Sequence, residues 1–287
     1  EALNQETLDK YGRGTPDDWV ENNVYSRFPF LGITSMLLIN VLLFGVAGIA
    51  IFAVQMIWIP VWAAGVINGI GHFSGYRNFE TTDASTNILP WGILIGGEEL
   101  HNNHHAHSQS ARLSSKPWEF DIGWFYIRVL ETLGLAEVKK IAPVVLSTND
   151  KPAIDMDTVR AIIRHRAYIM KLYGRNVIKP VLKLERRDLG KESRKLYRRV
   201  SKFMIREDIK LDAIARDLLD RVLQKSQSLK TVYQFKQKLR QLWQHSTENQ
   251  SKRVEKLQQW CEEARQSGIE ALQDFADELQ GYTLQKA

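Results

Sequence analysis

Residues 28–76 contain no Asp, Glu, Lys or Arg. This 49-residue run limits the fold more than any other feature of the chain. A bilayer core of about 30 Å takes about 20 helical residues, so the run has room for two spans and a tight turn. The spans are expected near 30–48 and 52–72. A buried hairpin in a soluble protein is the alternative, but soluble cores rarely run so far without a charge, because part of each helix usually meets water. Two spans return the chain to the side where it began. Arg27 and Arg77 then flank one face, and the turn near 49–55 carries no cation. The excess of Lys and Arg beyond Arg77 assigns that face to the cytoplasm.

The average mean hydropathy of −0.29 hides two unlike halves. Residues 1–150 carry 9 Lys and Arg against 15 Asp and Glu; residues 151–287 carry 30 against 18. A basic half tethered beside a bilayer points to a membrane surface or to nucleic-acid phosphates. Each basic residue near anionic lipid contributes about 1 kcal/mol. A solvated basic bundle face is the commonest use of such a pattern. Cys261 is the single cysteine, which excludes an intramolecular disulfide and fits a reducing compartment. The first 20 residues are polar and acidic, unlike a targeting segment. The chain opens on Glu1 rather than Met, and an upstream part is expected.

Thr15, Pro16, Asp17 and Asp18 read as a helix start. Residues 78–90 are turn-rich, and a helix is expected from Trp91 through the histidine cluster. Residues 118–133 are aromatic and amphipathic but hold Arg128 and Glu131. They read as lying in the membrane interface, with an ordinary core helix as the alternative. Residues 142–152 read as a linker. Beyond it, Ile209, Ile214, Leu218 and Val222 form a helical stripe. Further stripes follow at Val232, Phe235, Leu239 and Leu242, then at Leu257, Trp260, Ala264, Leu272, Phe275 and Leu279, with breaks at Gly268 and Gly281. No β-sheet is expected. The fold class is all-α: an integral membrane helical hairpin with interfacial helices, followed by a soluble helical C-terminal region.

Five of the seven histidines lie between 72 and 107. On a helix, His101, His104 and His105 leave one face together. Neutral imidazole suits iron, zinc, copper and nickel. His104 and His105 point about 100° apart, which suits two neighbouring ions better than one. A zinc-protease pattern needs a Glu where Asn102 stands, so that class is excluded. Asn68 lies one turn before His72, with an interhelical hydrogen bond as its alternative role. Glu98 and Glu99 precede the cluster and are placed to orient imidazole N–H groups, with a solvated face as the alternative for Glu99. His107 is read as outside the cluster, and His165 and His245 as solvated.

Three segments together resemble the last part of the membrane fatty acid desaturases, most closely the bacterial Δ9-type acyl desaturases. They are Asn68-Gly-Ile-Gly-His72, Gly75-Tyr76-Arg77 and Gly97-Glu-Glu-Leu-His-Asn-Asn-His-His105. Trp118-Glu-Phe-Asp121 with Trp124 resembles the segment after the family's final histidine box. The resemblance implies an integral membrane enzyme that uses O2, two electrons and a non-haem di-iron centre to desaturate an acyl chain. It implies His72, His101, His104 and His105 as iron ligands and Asn68 as a ligand through water. It also implies a fatty acyl substrate (acyl-lipid or acyl-CoA), membrane lipid, and a ferredoxin or haem protein with a reductase as electron donor. The expected location is the bacterial inner membrane, with the metal site and C-terminal region cytoplasmic. Two earlier boxes of the family, His-x-x-x-x-His and His-x-x-His-His, are not in the sequence. Residues 1–141 are therefore expected to be the C-terminal half of a desaturase domain, inactive alone, joined through 142–152 to a basic helical extension, 153–287. Residues 259–276 resemble C-terminal helices of some bacterial transposases. Nucleic acid is not the expected partner. The other readings are a membrane di-iron hydroxylase or ketolase, and a membrane-tethered helical module that binds nucleic acid or protein.

Overall fold

The computed structural model describes residues 6, 7, 9, 18–142, 145–147, 151–187, 189–244 and 250–284. The helix start expected at Thr15, Pro16 and Asp17, and His245, lie outside the described residues. The chain is mostly helical and divides into two compact units, Glu1–Gly65 and Val66–Ala287.

In the first unit, helices Leu31–Phe44 and Ala47–Ile59 pack into a hairpin. The turn comes at Gly45, earlier than expected, because its φ of 59° ends the first helix. A Cβ on Gly48 would lie 2.1 Å from the carbonyl oxygen of Asn40, so the missing side chain lets the helices approach. Asn40 is buried; its Nδ2 donates to the carbonyl of Met36 and, at 3.0 Å, to Oε1 of Gln55 across the hairpin. The Leu, Ile and Trp side chains around this pair are largely exposed. Among the described residues, one helix is long and apolar enough to cross a membrane: Ala47–His72, of 26 residues. Leu31–Phe44 has 14 residues, or about 21 Å, short of a full span.

That long helix changes register. Pro60–Gly69 is a π-helix and Ile70–His72 a 3-10 turn. Pro60 has no backbone N–H to continue the α-helical ladder. In the second unit, no helix begins at Trp91. Trp91–Gly92 pairs in parallel with Phe120–Asp121, a pairing absent from the sequence expectation. Gly96 and Gly97 have φ of 68° and 104° and delay the helix until Glu98. The histidines occupy a short helix, His101–Ala106. The Asp121 carboxylate caps helix Ile122–Thr132 by accepting from Trp124 N. No residue of that helix is buried, and Phe125, Tyr126, Val129 and Leu130 are exposed.

Among the described residues between 156 and 280, helices surround an apolar core that includes Ile162, Ile169, Tyr173, Leu239, Leu257, Trp260 and Phe275. The stripes expected from Val232 to Leu242 and from Leu257 to Leu279 are buried. Ile214 is exposed instead, because Ala215 and Leu219 set the inward face of helix Ala213–Lys225. Gly268, with φ of 71°, turns the chain between helices Gln250–Arg265 and Glu270–Gln280. Val145–Ser147, within the expected linker, pairs antiparallel with Tyr282–Leu284.

Candidate metal centre

His72 ends the 3-10 turn, and its Nε2 lies 3.0 Å from Nε2 of His101. The His105 ring is 4.3 Å from that of His101 and 5.0 Å from that of His72, centroid to centroid. One ring nitrogen from each of the three falls within 4.8 Å of the others. A Cβ on Gly71 would come within 3.2 Å of the His101 ring, so glycine there makes room for the imidazole. His104 is not in the group. Its ring stacks 6.1 Å from His101 and lies 5.8 Å from His105. His104 points about 100° around the helix from His105, and His105 is the ring that faces His72.

Asp83 and Glu98 back the rings. Asp83 Oδ2 lies 2.8 Å from His105 Nδ1, which leaves His105 Nε2 free to face the group. Burial opposes ionisation of Asp83. Hydrogen bonds from Ser85, His105 and Thr81 outweigh it and hold the carboxyl below the ordinary carboxylate value. Glu98 Oε2 is 3.5 Å from His101 Nδ1, and the imidazole beside it lowers the Glu98 pKa. At that distance the contact is an ion-pair separation, and His101 Nδ1 is buried without a hydrogen-bond partner. Glu99 plays a different part. It is buried, and its Oε1 accepts from the backbone N–H of Leu94 and Ile95. Asn68 is exposed in the π-helix. The π-to-3-10 change removes the α-helical phasing that set Asn68 over His72.

The two asparagines between the histidines carry a role that the sequence reading missed. Asn102 Oδ1 accepts from the backbone N–H of Asn78 and Phe79, and its Nδ2 donates to the carbonyls of Phe79 and Ser85. Asn103 Oδ1 accepts from Asn78 and Asn87, and its Nδ2 donates to Glu119. Glu119 also accepts from Tyr76 Oη and from the backbone N–H of Ser115 and Lys116. These directional bonds tie the loop 76–87 and the segment 115–119 to the back of the histidine helix. No periodic pattern marks them. The only sequence signal was the density of Asn, Ser and Thr in 78–87.

His107 is half-buried, edge-on to Phe79 at 5.2 Å and 5.8 Å from His165. His165 is 3% exposed, not solvated as the flanking arginines implied. Arg164 and Arg166 are exposed, while His165, the non-helical junction between helices Met156–Arg164 and Arg166–Tyr173, turns inward. Burial, with His107 and Arg164 nearby, lowers the His165 pKa to about 4. Burial, then Arg166, lowers that of His107.

Comparison with known proteins divides the chain. It is 42% identical over 77 residues to an sn-1 stearoyl-lipid 9-desaturase of Anabaena variabilis, covering 27% of this chain and 28% of that protein. Over 76 residues it is 41% identical to the Delta-9 acyl-lipid desaturase 1 of Arabidopsis thaliana, covering 26% of this chain and 25% of that protein. Over 89 residues it is 39% identical to an acyl-CoA 5-desaturase of Anemone leveillei, covering 31% and 27%. The match thus spans about a quarter of the length of these relatives. The family matched by residues 162–285 is described as a transposase. No solved structure gives a significant match.

Proposed function

We propose that this chain is part of a membrane-bound, oxygen-dependent fatty acyl desaturase. The observation that carries the reading is the convergence of His72, His101 and His105. Two imidazole Nε2 atoms 3.0 Å apart repel unless a proton or a cation lies between them. A set of neutral imidazoles backed by carboxylates suits a transition metal. Similarity to acyl-lipid and acyl-CoA desaturases supports iron in particular. In this reading His72, His101 and His105 are ligands, and His104 beside them serves a second iron. Asn68 reaches iron through water, and Glu98 and Asp83 orient His101 and His105. A pair of irons would supply oxygen chemistry that removes two hydrogens from an unactivated acyl chain. Four imidazoles are too few for two irons, so this chain holds part of the ligand set.

Further details belong to the same proposal. The site lies at the cytoplasmic surface of a bacterial inner membrane, with the exposed aromatic face of 122–135 in the interface. The substrate is an acyl-lipid or acyl-CoA, and a ferredoxin or a haem protein with its reductase supplies electrons. Residues 1–141 carry the chemistry, and 153–287 follow as a helical extension. Gas chromatography of lipids from cells expressing the natural gene tests the activity. A new cis olefin that disappears in His101→Ala is expected. A hydroxy acid in its place assigns the chain to the hydroxylases, and no new product overturns the reading.

The transposase match favours a second reading for the helical region alone, as a module that binds nucleic acid or protein. A gel shift with duplex DNA that weakens steeply as salt rises would support it. No shift at low salt would remove the nucleic-acid form.

A further inference from the structure

We propose that Arg77 is a positioning residue for the histidine cluster, and that the transposase-like helices brace it through Glu80. The proposal rests on the metal-site reading above. The Arg77 side chain is 5% exposed and gathers the loop that follows it. Nη1 donates to the carbonyls of Asp83 at 3.0 Å and Ser85 at 2.8 Å. Nη2 donates to the carbonyl and Oγ1 of Thr81, both at 3.1 Å. The curled loop points Asp83 in one direction. Its Oδ1 accepts from Ser85 N and Thr81 Oγ1, each at 3.0 Å, and Oδ2 is left facing His105 Nδ1. A planar five-donor guanidinium can serve four acceptors in one plane; an ammonium cannot.

The other side of Arg77 meets the helical region. Glu80 is buried; one carboxylate oxygen lies 3.5 Å from Arg77 Nη2 and the other 4.0 Å from Lys171 Nζ. The Glu80 backbone N–H donates to the carbonyl of Ala167 at 2.8 Å. Ala167 and Lys171 lie on helix Arg166–Tyr173, inside the transposase-like stretch 162–285. Phe79 packs its ring 6.3 Å from Tyr168 on the same helix. A continuous path therefore runs from this helix through Glu80, Arg77 and Asp83 to the His105 imidazole. The helical extension is a structural part of the site and not an independent appendage.

The test uses the full chain in detergent, Co(II) as the metal probe and hydrogen exchange. Arg77→Lys keeps the charge but loses the fork. Loss of such a support typically weakens metal binding 10- to 100-fold. Cobalt affinity should fall by about that factor and the visible cobalt bands should shift, while far-ultraviolet circular dichroism stays unchanged. Lys171→Met should weaken cobalt several-fold and speed amide exchange in 80–85, and Lys171→Arg should restore both. A role in general stability alone would lower the melting temperature without moving the cobalt bands. Wild-type affinity and bands in Arg77→Lys overturn the proposal. If the wild-type chain takes up no cobalt, the ligands on this chain do not suffice to hold a metal by themselves. The brace is then decided by exchange: faster exchange confined to 80–85 in Arg77→Lys supports it, and unchanged exchange overturns it.

Discussion

The two parts of the second unit bury their residues by opposite chemistry. In residues 66–142 the buried set is mostly polar: Asn78, Glu80, Ser85, Asn87, Glu99, Asn102, Asn103, Glu119 and Asp121, with Phe79 and Leu100 among few apolar members. In residues 156–280 it is mostly apolar, from Val159 to Leu279, with Lys236 a rare exception. Lys236 is tolerated because its Nζ donates to the carbonyls of Met204 and Ile205 and pairs with Glu207 at 2.7 Å. Apolar contact is non-directional and fills space, whereas hydrogen bonds fix orientation. A ring nitrogen that must meet two others at a common point needs the second kind of support. The histidines accordingly sit in loops and one short helix held by side-chain-to-backbone bonds, with the close-packed helices alongside.

The sharpest way to break this contrast is to make Asn102 apolar. Asn102→Leu leaves the N–H groups of Asn78 and Phe79 and two carbonyls without their partner. A loss of about 4–6 kcal/mol is expected, read as unfolding in detergent. A near-neutral result would show that the segment tolerates an apolar interior. Phe275→Ala probes the other chemistry. Its ring packs against Tyr173 at 5.1 Å and Trp260 at 6.3 Å, and truncation should cost about 3–5 kcal/mol. Refilling the site with Leu should recover part of that, since apolar packing depends on volume more than direction.

His165 gives a smaller, pH-dependent effect where the two parts meet. Burial keeps it neutral in the folded chain, with a pKa of about 4 against an ordinary 6.5. The unfolded chain therefore binds the proton first. The stabilisation is whole above about pH 6.5 and declines as pH falls towards 4, by at most about 3 kcal/mol and less where solvent screens the ring. Melting curves from pH 7 to 4 should show this slope, and His165→Leu should flatten it. The smallest effect is at Gly268. No atom lies within 4 Å of a Cβ built there, so Gly268→Ala tests backbone strain alone and should cost about 1 kcal/mol. A melting temperature equal to wild type would show that the turn accepts another φ.

Legibility followed the same divide. The stripes around Leu239, Leu257, Trp260 and Phe275 could be read because burying one helix face imposes a period on the sequence. Ile214 misled because an apolar residue in phase with a stripe need not lie on the buried face. The helical character of the charge-free run was legible, but the end of its first helix was set by Gly45 and the approach of its helices by Gly48, neither of which a charge-free run reveals. Of the four histidines read as a group, His72, His101 and His105 come together and His104 lies to one side. Asp83, Asn102 and Asn103 could not be found by spacing, since each bonds to groups about 15 or more residues away in sequence.

From the sequence alone came the helical class, the apolar stripes, the lipid-like run and the association of His72 with the 101–105 cluster. All of these leave either a period or a composition in the chain, because burial and solvent act on every residue of an element. The identity of the three converging rings, the inward turn of His165, and the Arg77–Asp83–His105 path were decided by tertiary structure. These depend on single hydrogen bonds between distant segments, and one directional contact leaves no pattern along the chain.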